Sequence, residues 1–264
     1  MDEIDRLLSR VKHSCFGMLP LPVYRRIYET AAARGGGTFV EIGTAQGAAT
    51  IAMALGAKAS GKAFRILTVD KFVGSRPRAG SPEEKLAIVR CGFETFGVAD
   101  SIENVVGTSA DLPPAGELSR IDLLLIDADG QLDRDLARLH SRLAPDSPLI
   151  VDDVDGTTYL SFGKGKLVVD QKHRISRLLL DRFIAAGLFV ADAPTGQTGW
   201  FRNGPASLAP HEIELLALPA YRELIYARPD DSGAGLKHSV LRIASVRAPW
   251  LKRAWDGLRG KRAG

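Results

Sequence analysis

Apolar positions along the chain fall into short unbroken runs separated by stretches with helical spacing. Thr38–Ile42 (TFVEI), Arg65–Val69 (RILTV), Glu103–Val106 (ENVV), Ile121–Ile126 (IDLLLI) and Pro148–Val151 (PLIV) are strand-like. The IDLLLI run predicts a strand buried on both faces. Between these runs, Ala48–Leu55, Ser81–Gly97 and Gln131–Leu143 predict helices. Ser81 is expected to cap the second of them, with Pro82 at its first position and acids in its first turn. Strands alternating with helices imply βαβ units and a parallel sheet wound on both sides. A helix is expected over Lys172–Ala186, and LFVADAPTGQTGWFRN (Leu188–Asn203) reads as a hairpin closing the sheet edge. The fold class is therefore α/β: a Rossmann-like, doubly wound, mostly parallel sheet with a C-terminal antiparallel hairpin and helical appendages at both ends.

The flanks are less patterned. Residues up to about Ala33 read as helical, with Pro22 opening a helix and Tyr24, Ile27 and Tyr28 spaced along one face. Arg34–Gly37 (RGGG) ends it. The connection Val154–Asp170 is Gly-rich and weakly patterned, and the pattern weakens again beyond Gly204. These shifts divide the chain into a helical cap over 1–34, a Rossmann-like domain over 35–204 and a C-terminal extension over 205–264.

Composition narrows the picture. A chain of 264 residues, 45% hydrophobic and 25% charged, can bury a full layered core and is not a disordered polymer. No apolar run approaches the roughly 20 residues of a membrane-spanning helix. The acidic N-terminus MDEIDRLLSR does not read as a secretory signal. Two cysteines, Cys15 and Cys91, make no disulfide framework, so a reducing cytoplasm is the expected setting. The net charge of +4 is unevenly spread: Leu236–Gly264 holds eight Lys/Arg against the single acid Asp256, so the rest of the chain is net acidic. In that tail, Trp250, Leu251, Ala254, Trp255 and Leu258 would share one helical face, with Lys252, Arg253 and Arg259 opposite. Such a face suits an anionic membrane surface, its own domain or a second copy in a homo-oligomer. No nucleic-acid recognition module accompanies the charge.

Four of the five expected strands stop at an acid: Glu41, Asp70, Asp127 and the pair Asp152–Asp153. In open α/β sheets ligands bind at the carboxyl ends of the strands, near the point where strand order reverses. The turn after Glu41 reads G-T-A-Q-G, with two glycines where the dinucleotide fingerprint needs three. A carboxylate at that turn disfavours phosphate and favours a cationic or zwitterionic ligand. Asp70 stands where an acid accepts hydrogen bonds from ribose hydroxyls. If the strands ending in Asp127 and in Asp152–Asp153 are neighbours, three carboxylates converge. They are then either solvated or neutralised by a hard divalent cation. Asp129 could support that group or cap a helix.

VEIGTAQGAAT, LTVDKF, NVVGTSADLP, IDLLLIDADG and PLIVDDV, in this order, resemble class I S-adenosylmethionine-dependent methyltransferases. They are most similar to the metal-dependent O-methyltransferases of catechol and caffeoyl-CoA type and their sugar- and antibiotic-tailoring relatives. The resemblance spans roughly Leu21–Asn203. It implies that Glu41, Gly43, Thr44 and Gly47 hold the methionine end of the cofactor, Asp70 its ribose, and Ser109 and Ala110 its adenine, with Asp127 beside it. It implies Asp127, Asp152 and Asp153 as ligands of a divalent cation, Mg²⁺ by preference. The cation would lower the pKa of an acceptor hydroxyl, whose oxygen then attacks the sulfonium methyl. Two positions depart from the family pattern. Those enzymes carry a lysine or histidine three residues after the first metal aspartate, where this chain has Gly130. A hydroxyl expected two residues after the last motif glycine is Ala49, with Thr50 next to it. Lys164, Lys166 and His173 are then the candidate bases.

The reading is an O-methyltransferase acting on a small hydroxylated molecule, a sugar or secondary metabolite. The alternatives are a cofactor-binding relative without transfer activity and a nicotinamide-dependent oxidoreductase on a similar sheet.

Overall fold

The computed structural model describes residues 2–73, 80–163 and 166–226, with side chains left out over 161–168 and at 226. The basic tail and Lys164 fall outside the described residues, and of Lys166 only the backbone is described.

The expected N-terminal helix is two: α1 (Glu3–Ser14), capped by the Asp2 side chain, and α2 (Leu21–Arg34). Then follow β1 (Gly37–Ile42), α3 (Ala48–Ala59), β2 (Phe64–Asp70), α4 (Pro82–Thr95), β3 (Ile102–Val106), β4 (Leu123–Ile126), α5 (Leu132–Leu139) and β5 (Pro148–Val151). The α4 start bears out its sequence signal: Ser81 accepts from Glu84 N–H while the Glu84 side chain accepts from Ser81 N–H. Such a cap contributes about 1 kcal/mol. α5 is shorter than expected, its last turn tightening to a 3₁₀ turn at His140–Arg142.

The Gly-rich connection, expected to be irregular, forms an antiparallel pair, β6 (Tyr159–Gly163) and β7 (Lys166–Asp170). α6 (Lys172–Ala185) follows, then β8 (Phe189–Thr195) and β9 (Thr198–Asn203), joined by a two-residue turn at Gly196–Gln197. A final helix, α7 (Pro210–Tyr226), lies in the segment where the pattern had weakened.

The main sheet has the order β3-β2-β1-β4-β5-β9-β8. The first five strands are parallel; β9 runs antiparallel to both β5 and β8. Strand order therefore reverses between β1 and β4. Each face carries its own core. Val40, Ile42, Leu124, Ile126, Leu149 and Val151 pack under α5, α6 and α7. Phe39, Leu123, Leu125 and Ile150 pack under α1 to α4. β4 is at most 2% exposed along its length, as the unbroken apolar run requires. Each such side chain contributes about 1.5–3 kcal/mol of burial, so the strand that presents Asp127 is firmly anchored. α1, α2 and α7 are built into these same cores, through residues such as Leu8, Ile27 and Ile213. Among the described residues no helix is long and apolar enough to cross a membrane.

Candidate active site

The reversal point is filled by two loops, one leaving β1 and one leaving β4. Gly43 has φ +99°, and a Cβ there would overlap the Asp127 carbonyl oxygen, so only glycine lets the loops touch. Ala45 takes φ +46°. Its N–H donates to Asp70 Oδ2 at 2.8 Å, while Phe72 N–H donates to Asp70 Oδ1 at 2.6 Å. The acid ending β2 thus braces the turn leaving β1.

Glu41 lies under this turn rather than on it. It is wholly buried. Its Oε2 accepts from the Thr50 hydroxyl and, at 2.6 Å, from the Thr68 hydroxyl, and Thr68 Oγ1 lies 2.5 Å from Thr44 Oγ1. Glu41 Oε1 has no hydrogen-bond partner. Burial pushes its carboxyl up to about 7 against the pull of the two hydroxyls. Thr50 spends its hydroxyl on Glu41 and so does not replace the one missing at Ala49. Gly47 caps α3 with no side-chain bond to the first-turn N–H groups.

Two cavities open on either side of the Gly43–Asp127 contact. One of about 390 Å³ is lined by Asp70, Lys71, Val73, Gly107, Thr108 and Ala128. The other, about 70 Å³, is lined by Gly17, Tyr24, Thr44, Gln46, Ala48 and Ala49. Gly43 and Asp127 border both. Ser109 and Ala110, expected beside a ligand, line neither. The Thr108–Asp111 capping box winds a 3₁₀ turn that points the Ser109 hydroxyl inward, donating to Asp135 at 2.6 Å, and leaves Ala110 exposed. Gly107 and Thr108 take the lining positions instead. Asp129 is not the N-cap of α5, though its Oδ1 accepts from Gln131 N–H at 3.3 Å; it also pairs with Arg134 at 3.2 Å.

The acids at the ends of β4 and β5 do converge. One carboxylate oxygen from each of Asp127, Asp152 and Asp153 lies within 4.8 Å of the others. Neighbouring residues of a strand point to opposite faces, so Asp152 and Asp153 can share a site only where that alternation breaks. Asp153 breaks it with φ +60°, the left-handed region, at a cost of about 1–2 kcal/mol. Burial and the Asp127 charge push Asp152 up to about 6, although Thr198 donates to its Oδ1 at 2.5 Å. Burial likewise raises Asp127, against the pull of Lys172. This surplus of negative charge on hard oxygen donors fits a divalent cation.

Two residues of the α6 N-terminus face the acids. His173 Nε2 lies 3.0 Å from Asp153 Oδ1 and its Nδ1 2.9 Å from Asp155 Oδ1. Asp155 is held in turn by the Tyr159 hydroxyl at 2.7 Å and Gln197 at 2.9 Å. These bonds, working against burial, lower its pKa. Lys172, which the sequence reading passed over, has its Nζ 2.8 Å from Asp153 Oδ2 and 3.3 Å from Asp127 Oδ1. Burial disfavours its charge, but Asp127 and Asp153 outweigh that and raise its pKa. A signal for it existed. α6 opens Lys172–His173–Arg174 with no acid in its first turn, against the helix dipole, and such a start needs anions nearby.

Residues 40–154 match the family model described as a methyltransferase domain. That stretch, less than half of the chain, is similar to methyltransferase domains. It takes in β1 to β5 and all three converging acids. No curated protein matches the chain in sequence. Among solved structures, the O-methyltransferase TomG of Streptomyces achromogenes, in complex with S-adenosylmethionine, is 16% identical with a TM-score of 0.53, covering 78% of this chain and 91% of TomG. An O-methyltransferase of Bacillus cereus, in complex with S-adenosylhomocysteine, is 19% identical with a TM-score of 0.52, covering 76% and 90%. The S-adenosylhomocysteine-bound methyltransferase PaMTH1 of Podospora anserina is 16% identical with a TM-score of 0.51, covering 77% and 88%. At these identities the likeness is one of fold: the chain has the same Rossmann-like sheet.

Proposed function

We propose that the chain methylates a hydroxyl oxygen of a small acceptor, using S-adenosylmethionine and a divalent cation held by Asp127, Asp152 and Asp153. The observation that carries this reading is the convergence of those acids beside the Gly43 turn, at the reversal of strand order. The cofactor would supply an electrophilic sulfonium methyl, and the cation a Lewis acid at the acceptor oxygen. The cofactor-bound state of similarly folded O-methyltransferases supports this choice of donor.

The chain's own residues divide the work. Asp70 and Thr108 border the larger cavity, which suits the adenosyl part. Thr44, Gln46 and the uncapped start of α3 border the smaller one, which suits the amino-acid part: a carboxylate is favoured by free helix N–H groups. Glu41 acts from beneath, fixing Thr50 and Thr68 under the turn. Asp155 fixes His173 through its Nδ1, leaving Nε2 turned toward Asp153 and the acid cluster. His173 could receive the acceptor proton only by giving up its Nε2 contact with Asp153, and otherwise serves to orient the acids. Cys15 and Cys91 are both free, which supports a reducing cytoplasm as the setting.

Calorimetry against S-adenosylhomocysteine and NAD, followed by methyl transfer to a panel of hydroxylated acceptors with and without chelator, tests this reading. Binding of the first ligand alone and chelator-sensitive transfer are expected. Binding of NAD in its place, or transfer indifferent to chelation, would remove the donor or the cation respectively.

A further inference from the structure

Lys172 sits where a divalent ion would have to work. Its ammonium bridges Asp127 Oδ1 and Asp153 Oδ2, at 3.3 and 2.8 Å, while His173 holds the other Asp153 oxygen and Thr198 holds Asp152 Oδ1. An ion taking one oxygen from each acid therefore meets an ammonium already shared between two of them. Gly130 is what lets the lysine in. It has φ +83°, and a Cβ there would stand 3.1 Å from Lys172 Cγ and 3.4 Å from both the Lys172 carbonyl oxygen and Ile175 Cγ2. The stem of Lys172 thus passes through the space a side chain at 130 would claim. Behind it lies a cavity of about 380 Å³, bordered by Gly130, Gln131, Asp170, Lys172, Tyr221 and Leu224. This cavity offers room into which the lysine can withdraw.

We propose that Lys172 is an intramolecular counter-cation of the acid cluster, which a divalent ion displaces toward this cavity. Lys172 is then a positioning residue: it keeps the acids together when no ion is bound and sets a threshold for ion binding. The proposal rests on the reading of the three acids as cation ligands. Its chemistry is ion exchange on fixed carboxylates, with no bond made or broken. Like charges compete for one set of oxygens, and the tethered one lowers the affinity of the free one.

Two measurements on the full chain test it. Mn²⁺ binding, followed by loss of the free-ion paramagnetic resonance signal, is compared for wild type, Lys172→Met and Lys172→Arg. Removing the charge is expected to tighten Mn²⁺ binding at least tenfold, and the arginine variant to stay within about threefold of wild type. Separately, in wild type, mass spectrometry follows the rate at which an amine-acylating reagent modifies Lys172. Saturating Mn²⁺ is expected to raise that rate several-fold, and this readout needs no variant to fold. Wild-type Mn²⁺ binding with no gain in Lys172→Met, or labelling unchanged by Mn²⁺, overturns the lysine proposal and leaves the cation reading standing. No Mn²⁺ binding by wild type or Lys172→Met, both folded by circular dichroism, overturns the cation reading and the proposal with it.

Discussion

Replacing Glu41 by glutamine tests the floor of the Gly43 turn. The carboxyl is wholly buried, one oxygen is without a partner, and its pKa is lifted from 4.5 to about 7. One pKa unit corresponds to about 1.36 kcal/mol, so a lift of that size makes ionised Glu41 cost the fold about 3 kcal/mol. The sign follows from linkage. A group whose folded pKa is raised contributes fully below its unfolded value and loses that contribution as pH rises through the folded one. Wild type should therefore lose about 3 kcal/mol between pH 4.5 and 8 that Glu41→Gln retains. The amide keeps an acceptor for Thr50 and Thr68 but buries an unpaired NH₂, a pH-independent penalty of about 1–3 kcal/mol. The assay is urea denaturation of both proteins across that range, reading the difference between them so that the other titrating groups cancel. The variant should be the less stable at pH 4.5 and should draw level with or pass wild type by pH 8. Parallel profiles would refute the buried, pH-sensitive carboxyl.

Asp152→Ala should abolish cation-stimulated methyl transfer while leaving S-adenosylhomocysteine affinity within about threefold, read by calorimetry, because Asp152 borders neither cofactor cavity. Asp70→Ala should weaken that binding by about 10–100-fold, since it removes both the Ala45 brace and a cavity-lining acceptor. Gly43→Ala should cost about 2–5 kcal/mol in thermal denaturation, combining left-handed strain with overlap on the Asp127 carbonyl.

What the sequence disclosed and what it withheld divide along a physical line. Periodicity and strand-end acids are local, so β1 to β5, the Ser81 cap and the meeting of Asp127 with Asp152 and Asp153 could be read from the chain. The antiparallel hairpin was legible as well, but its turn contracted to Gly196–Gln197 because Pro194 and Thr195 fit an edge strand. Lys172 was hidden because its role depends on a glycine 42 positions earlier, and only the tertiary packing of α6 brings them together. His173 was read as a base candidate and does reach the acid cluster, though through Asp153 and Asp155. Ser109 misled because a capping box two elements away from the acids turned its hydroxyl inward. β6 and β7 escaped notice because Gly156, Gly163 and Gly165 break up two short runs whose residues favour strands, and α7 because it contains Pro219.

The reversed direction of β9 has a consequence for how this pocket can change. The five parallel strands bring only their final residues to the ligand edge, whereas β9 delivers its beginning there, with Gly199 opposite Val151. Thr198 and Gln197, one on Asp152 and the other on Asp155, thus hang from the tight bend between β8 and β9. Lengthening or shortening that bend would retune both acids without disturbing the scaffold that carries the glycine loop. Under the proposed function, this bend would be a dial for acceptor chemistry separate from the hold on the methyl donor.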